Sequence, residues 1–166
     1  MLTIIVASLN ENVKLANTLK TQLSDLGKKS EIINLIELDL PMYSSKKEEM
    51  GISNEVFELA TKLDSSKGYI VIAPEYNFSI PPVLTNAVAW ISRVDKDFKK
   101  YFNQKNILLA SHSGGAGNDV LRDMRNQFEK LGAKVLDNEI LITYKKPLNK
   151  EYAKQTIEKF STVCSQ

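Results

Sequence analysis

The chain has one cysteine, Cys164, and one histidine, His112. A disulfide framework needs at least two cysteines, and a structural zinc site needs four Cys or His ligands; both are excluded. Charge of one sign is also missing: 22 Lys and Arg against 20 Asp and Glu leave a net +2. Nucleic-acid binders usually carry a basic stripe. Here the lysines come as scattered pairs, 28-29, 46-47, 99-100 and 145-146, which read as solvated helix ends and loops. We therefore expect no nucleic-acid partner. Long apolar runs are absent as well. Residues 1–7 are apolar apart from Thr3, lack a basic start and turn polar at Ser8, too short for a signal peptide or a membrane span. The expectation is a cytoplasmic protein with no membrane partner. The phosphate-loop pattern G-x-x-x-x-G-K-[ST] and the hydrolase elbow G-x-S-x-G are also lacking. His112 stands beside two serines, but with no orienting acid in view it reads as a loop or rim histidine.

What remains is ordinary for a globular domain: 166 residues, 43% hydrophobic and 25% charged. One domain over residues 1–166 can bury a core without a disulfide or metal. Short β-branched runs alternate with amphipathic stretches. Strands are expected at 2–7, 31–36, 69–73, 107–110 and 134–142. Helices are expected at 12–26, 51–63, 83–93, 119–131 and 150–163, several of them closed by glycine. Residues 38–50 read as the longest irregular stretch. Strict β-α alternation means parallel strands joined by right-handed crossovers. The expected fold is a flavodoxin-like three-layer α/β sandwich, with five strands in the order 2-1-3-4-5 and helices on both faces.

In such sheets ligands sit beyond the carboxyl ends of the strands, where strand order reverses. Three loops converge there. The first, Ser8-Leu9-Asn10-Glu11-Asn12, brings hydroxyl, amide and helix-start N–H donors, suited either to a phosphate or to simple capping. The second, Pro74-Glu75-Tyr76-Asn77-Phe78-Ser79-Ile80-Pro81-Pro82, has three prolines that stiffen it, two aromatics with flat apolar surface and an amide able to read a polar ring edge. The third, Ser111-His112-Ser113-Gly114-Gly115-Ala116-Gly117, lets backbone approach a ligand closely.

The run Pro74-Glu75-Tyr76-Asn77-x-Ser79-Ile80-Pro81, followed by Leu84-Thr85-Asn86-Ala87-Val88-Ala89-Trp90-Ile91-Ser92-Arg93, resembles the NAD(P)H-dependent FMN reductase family. That family includes azoreductase-, quinone reductase- and chromate reductase-like flavoproteins. The resemblance implies noncovalent FMN, NADPH or NADH as hydride donor, and a second small-molecule acceptor: a quinone, an azo compound, a metal oxyanion or free flavin. It implies cofactor contacts from Pro74, Glu75, Tyr76 and Asn77, and from Ser111, Ser113, Gly114 and Gly115 at the ring's pyrimidine edge. The family's first loop reads Gly-Ser-x-Arg-x-x-Ser-x-Asn and holds the FMN phosphate. Here Ser8 matches, Asn10 and Asn12 serve as substitutes, and Val13 and Leu15 replace the later polar residues. No catalytic side chain and no metal ligand are assigned. Trp90 lies off the apolar stripe of helix 83–93, and family members commonly dimerise there, so a homodimer through this helix is expected. Two other readings stay open: a flavodoxin-like electron carrier, and a flavin-free regulatory or interaction module.

Overall fold

The β-branched run that opens the chain becomes β1 (Leu2–Val6), buried along its whole length because helices cover both of its faces. The computed structural model describes residues 1–165. The elements that follow are α1 (Glu11–Asp25), β2 (Ser30–Asn34), the single turn α2 (Leu35–Leu38), α3 (Ser45–Glu49), α4 (Asn54–Ser65) and β3 (Gly68–Ile72). They continue through α5 (Pro82–Ile91), β4 (Asn106–Ser113), α6 (Asn118–Lys130), β5 (Lys134–Val135), β6 (Ile140–Thr143) and α7 (Lys150–Val163). All strand pairs are parallel and run β2-β1-β3-β4-β5, with β6 also on β4. This is the expected order, and its switch point lies between β1 and β3.

Side chains alternate between two apolar layers. Ile5, Tyr69, Val71, Ile107 and Leu109 face α4, α5 and α6, whereas Ile4, Val6, Ile70, Ile72 and Leu108 face α1 and α7. Among the described residues, no helix is long and apolar enough to cross a membrane.

Four expectations change. The last strand, read as continuous over 134–142, breaks into β5 and β6. Between them Arg125 crosses from α6, donating to the Leu136 carbonyl at 2.7 Å and to Glu139 Oε1 at 2.7 Å. Second, β4 runs on to Ser113, because its register with β6 pairs Ala110 with Ile140 through Ser113 with Thr143. Ser111 and Ser113 are therefore strand residues rather than loop residues. Third, the segment at 38–50 is not wholly irregular: it holds α3, capped by the Ser44 hydroxyl, which accepts from Lys47 N.

The fourth change concerns Trp90. It is 1% exposed within its own chain. Its indole N–H donates to the Pro41 carbonyl at 2.7 Å, and Tyr43 packs edge-on at 5.2 Å. Asn86 completes the strap, donating to the Leu40 and Pro41 carbonyls and accepting from Tyr43 N. The off-stripe tryptophan is explained by residues 40–43 covering α5, and Trp90 is not available as a contact between subunits.

Candidate functional site at the carboxyl ends of the strands

Hydrogen-bonded neighbours β1, β3 and β4 end side by side, so the three loops read from the sequence meet. Two side chains tie them together. Asn12, in the first turn of α1, is buried and uses its whole amide on β4: Nδ2 donates to the His112 carbonyl at 3.1 Å, and Oδ1 accepts from His112 N at 2.8 Å. Asn12 is thus spent on the scaffold. Glu75 does the second job. Its Oε2 accepts from Asp119 N at 3.0 Å and Val120 N at 3.2 Å, capping α6 from another loop because the residue at the cap itself, Gly117, has no side chain. Glu75→Ala is expected to lower stability by about 1–2 kcal/mol, the usual cost of losing a helix cap. Chemical denaturation of the variant beside Glu75→Gln, which keeps an acceptor, measures it; an Ala variant as stable as wild type removes this role.

The first loop is left open. Asn10 precedes α1 with φ 57° and makes no capping hydrogen bond with its side chain. The first-turn N–H groups of α1 consequently lack a side-chain partner of the kind Glu75 gives α6. Ser8 is 6% exposed, and its hydroxyl makes only a long 3.4 Å contact to the Leu9 carbonyl. No free cation stands in this loop: Lys14 pairs with Glu11 at 2.6 Å. A phosphate bound here would be met by neutral donors and the helix dipole.

In the second loop Pro74 is buried and Tyr76 to Ser79 close a tight hairpin, with Tyr76 N donating to Ser79 O at 3.1 Å and Ser79 N to Tyr76 O at 3.0 Å. Its two central residues, Asn77 and Phe78, have φ 49° and 61°. That is the left-handed pair a type I′ turn requires. Asparagine suits it; an exposed phenylalanine does not, and so marks a strained tip. Ser79 anchors the hairpin by donating to Asp123 of α6 at 2.8 Å. In the third loop the Ser113 hydroxyl accepts from Gly115 N at 3.1 Å. Beneath it the Ser111 hydroxyl is fully buried with no partner among the described residues. Gly114 and Gly115 are exposed.

These features fit FMN: an uncapped helix start for a phosphate, a rigid aromatic hairpin beside it and a glycine loop opposite. Ser8, Asn10, Pro74, Glu75, Tyr76, Asn77, Ser113, Gly114 and Gly115 come together there, with Asn12 and Ser111 behind them. The sequence reading missed the far side of the glycine loop. There Asn118, Tyr144, Lys145 and Lys146 border a cleft of about 660 Å³. The pair at 145-146 directly after the last strand was the available signal, since that position falls at the ligand-binding end of the sheet.

The comparisons with known proteins follow the same lines. The quinone reductase of Escherichia coli K12 is 37% identical over 57 residues, 34% of this chain and 30% of that one. A subunit of an NADH:(hydroxy)cinnamate reductase from Vibrio ruber is 32% identical over 78 residues, 47% of this chain and 36% of that one. The matches thus span about a third of these relatives' lengths. Among solved structures, the flavoenzyme NAD(P)H:(acceptor) oxidoreductase FerB of Paracoccus denitrificans superposes with a TM-score of 0.82 at 18% identity, covering 99% of this chain and 96% of that one. That likeness shows the fold. The family model of the NADPH-dependent FMN reductases matches residues 1–146, from β1 through all three loops to the turn after β6, and the chain belongs to that family.

Proposed function

We propose that this protein is an FMN-dependent oxidoreductase that draws hydride from NADPH or NADH and passes electrons to a second small-molecule acceptor. The observation that carries this is the contrast between two helix starts at one sheet edge: α6 is closed by Glu75, while α1 is left open beside the Tyr76–Ser79 hairpin. When bound, FMN supplies the hydride-accepting ring chemistry. The chain's own residues do the rest. Ser8 and the first-turn N–H groups of α1 hold the phosphate. The backbone of Pro74 to Asn77 frames the ring, and Ser113 fixes the Gly114-Gly115 backbone against its edge. Tyr76 and Phe78, exposed by 50% and 76%, offer apolar surface that excludes water from the reacting face. Acceptors in this reading are quinones, azo compounds, metal oxyanions or free flavin; the printed name of the Escherichia coli relative supports the quinones. Cytoplasmic location and a homodimer belong to the same reading, the latter now on the family resemblance alone.

Fluorescence titration with FMN, followed by bleaching of the bound flavin with NADPH or NADH, tests the proposal. Saturable micromolar binding is expected, and its absence overturns the reading. Two variants locate the phosphate. Ser8→Ala weakens FMN several-fold, and Asn10→Arg tightens it about fivefold, because a charged donor exceeds a neutral one by about 1 kcal/mol. The arginine inherits φ 57°, so the same variant loses about 1 kcal/mol of folding stability. If neither variant moves FMN affinity by more than a factor of about two, residues 8–12 are not the phosphate site.

A further inference from the structure

The cleft on the far side of the glycine loop has a distinct chemistry. One wall is Gly114 to Ala116, the floor is Leu141 and Thr143 of β6, and the other wall is the turn from Thr143 to Lys146. That turn is a closed hairpin: Thr143 N donates to Lys146 O at 2.9 Å, Lys146 N returns to Thr143 O at 3.1 Å, and Lys146 N also reaches the Thr143 hydroxyl at 3.1 Å. No acidic residue lines the cleft. Neither lysine belongs to any ion pair among the described residues, whereas Lys14, Lys62 and Lys100 each have a carboxylate. Tyr144 is 84% exposed on the same turn, its ring edge-on to His112 at 6.2 Å and beside two cations with no carboxylate partner among the described residues. A volume of about 660 Å³ suits a nucleotide-sized ligand.

Position decides which ligand. The cleft opens on β6, three strand spacings from β1 in the series β1-β3-β4-β6. No residue of the first loop lines it, so the phosphate that α1 receives lies outside it. It shares a wall with the ring site: a side chain built on Gly115 would lie 3.5 Å from Glu75 Oε1. A ligand in the cleft therefore sits beside the ring rather than on its face. An acceptor must reach the ring; the distal end of a dinucleotide need not. Resting on the function proposed above, we propose that the cleft takes the adenosine-phosphate end of the reduced nicotinamide dinucleotide. Lys145 and Lys146 meet its phosphate, and Tyr144 stacks on its purine.

Calorimetric titration with adenosine 2′,5′-bisphosphate and with ADP tests this directly, without flavin. The bisphosphate binds saturably to the wild type, and the double variant Lys145→Ala/Lys146→Ala weakens it by about tenfold or more. Tyr144→Ala weakens it about fivefold. In steady-state assays the KM for NADPH rises in step while kcat and the Kd for FMN stay within about twofold. The two nucleotides separate the sources of the phosphate. If the 2′-phosphate is the group held, ADP binds weakly, and the KM for NADH is untouched by the double variant. If the pyrophosphate is held, ADP binding and the KM for NADH suffer equally. Absence of saturable nucleotide binding at millimolar concentration overturns the inference, as does a loss of FMN affinity matching the rise in KM. Failure to bind FMN, by contrast, removes the proposed function while the nucleotide titration still reads this site.

Discussion

Trp90→Ala is expected to lower the unfolding free energy by about 3–5 kcal/mol, the range for removing a fully buried large aromatic. The indole is 1% exposed, so truncation opens a cavity between α5 and the strap at 40–43. The strap then loses its edge-on partner for Tyr43 and one donor to the Pro41 carbonyl. Trp90→Phe separates these effects. Most of the ring volume returns, and Asn86 Nδ2 still donates to Pro41 O at 3.1 Å, so this variant loses only about 1 kcal/mol. Urea unfolding followed by circular dichroism is the suitable measurement, since Trp90 is the chain's one tryptophan. A Trp90→Ala variant within 1 kcal/mol of wild type would show that the strap does not depend on it. Sedimentation of Trp90→Phe at the wild-type position is expected too, because the indole faces its own chain.

The second large effect lies at Gly117. It has φ +75°, and a Cβ there would stand 2.5 Å from Leu141 Cδ1 and 2.9 Å from Ser113 Cβ. Gly117→Ala therefore combines left-handed strain with overpacking, about 2–4 kcal/mol together. The displaced Ser113 holds Gly115 N, so FMN affinity falls as well, about tenfold on the proposed reading. Gly114→Ala is the control in the same loop. Its nearest neighbour would be Tyr144 Cε2 at 3.7 Å, an ordinary contact, and stability stays within about 0.5 kcal/mol. Thermal melts and FMN titrations of the pair check both expectations. Equal behaviour of the two variants would mean that the loop yields freely and Gly117 is not required.

Much of this architecture was legible because it rests on local periodicity. The β-branched runs expected as strands at 2–7 and 69–73 form Leu2–Val6 and Gly68–Ile72, within one residue at each end, and helix 150–163 has the bounds the sequence predicts. The three site loops followed from topology, and the resemblance at Pro74 to Asn77 agreed with the family that matches. Long-range partners were not legible. Asn12 looks like a phosphate donor or cap until its amide is seen on His112, one hundred residues away. Trp90 looks unpartnered until residues 40–43 fold over it. The break in the last strand depends on Arg125 reaching Leu136 and Glu139 from a helix, which no hydropathy pattern encodes. The lysines at 145-146 read as solvated because nothing local tells them from the pairs at 28-29 or 46-47.

That break has a consequence for the protein in concentrated solution. A continuous strand over 134–142 would present a long row of unpaired N–H and C=O groups along the rim of the sheet, a template on which another chain can add. Instead β5 offers two residues and β6 four, with the chain turned out of register between them. Lys134, exposed on β5, adds a charge at the same rim. Short, interrupted and charged edges are how native sheets avoid joining edge to edge. By binding the Leu136 carbonyl and Glu139, Arg125 keeps that interruption in place and guards the protein against aggregation along the side that its neighbouring cleft leaves open.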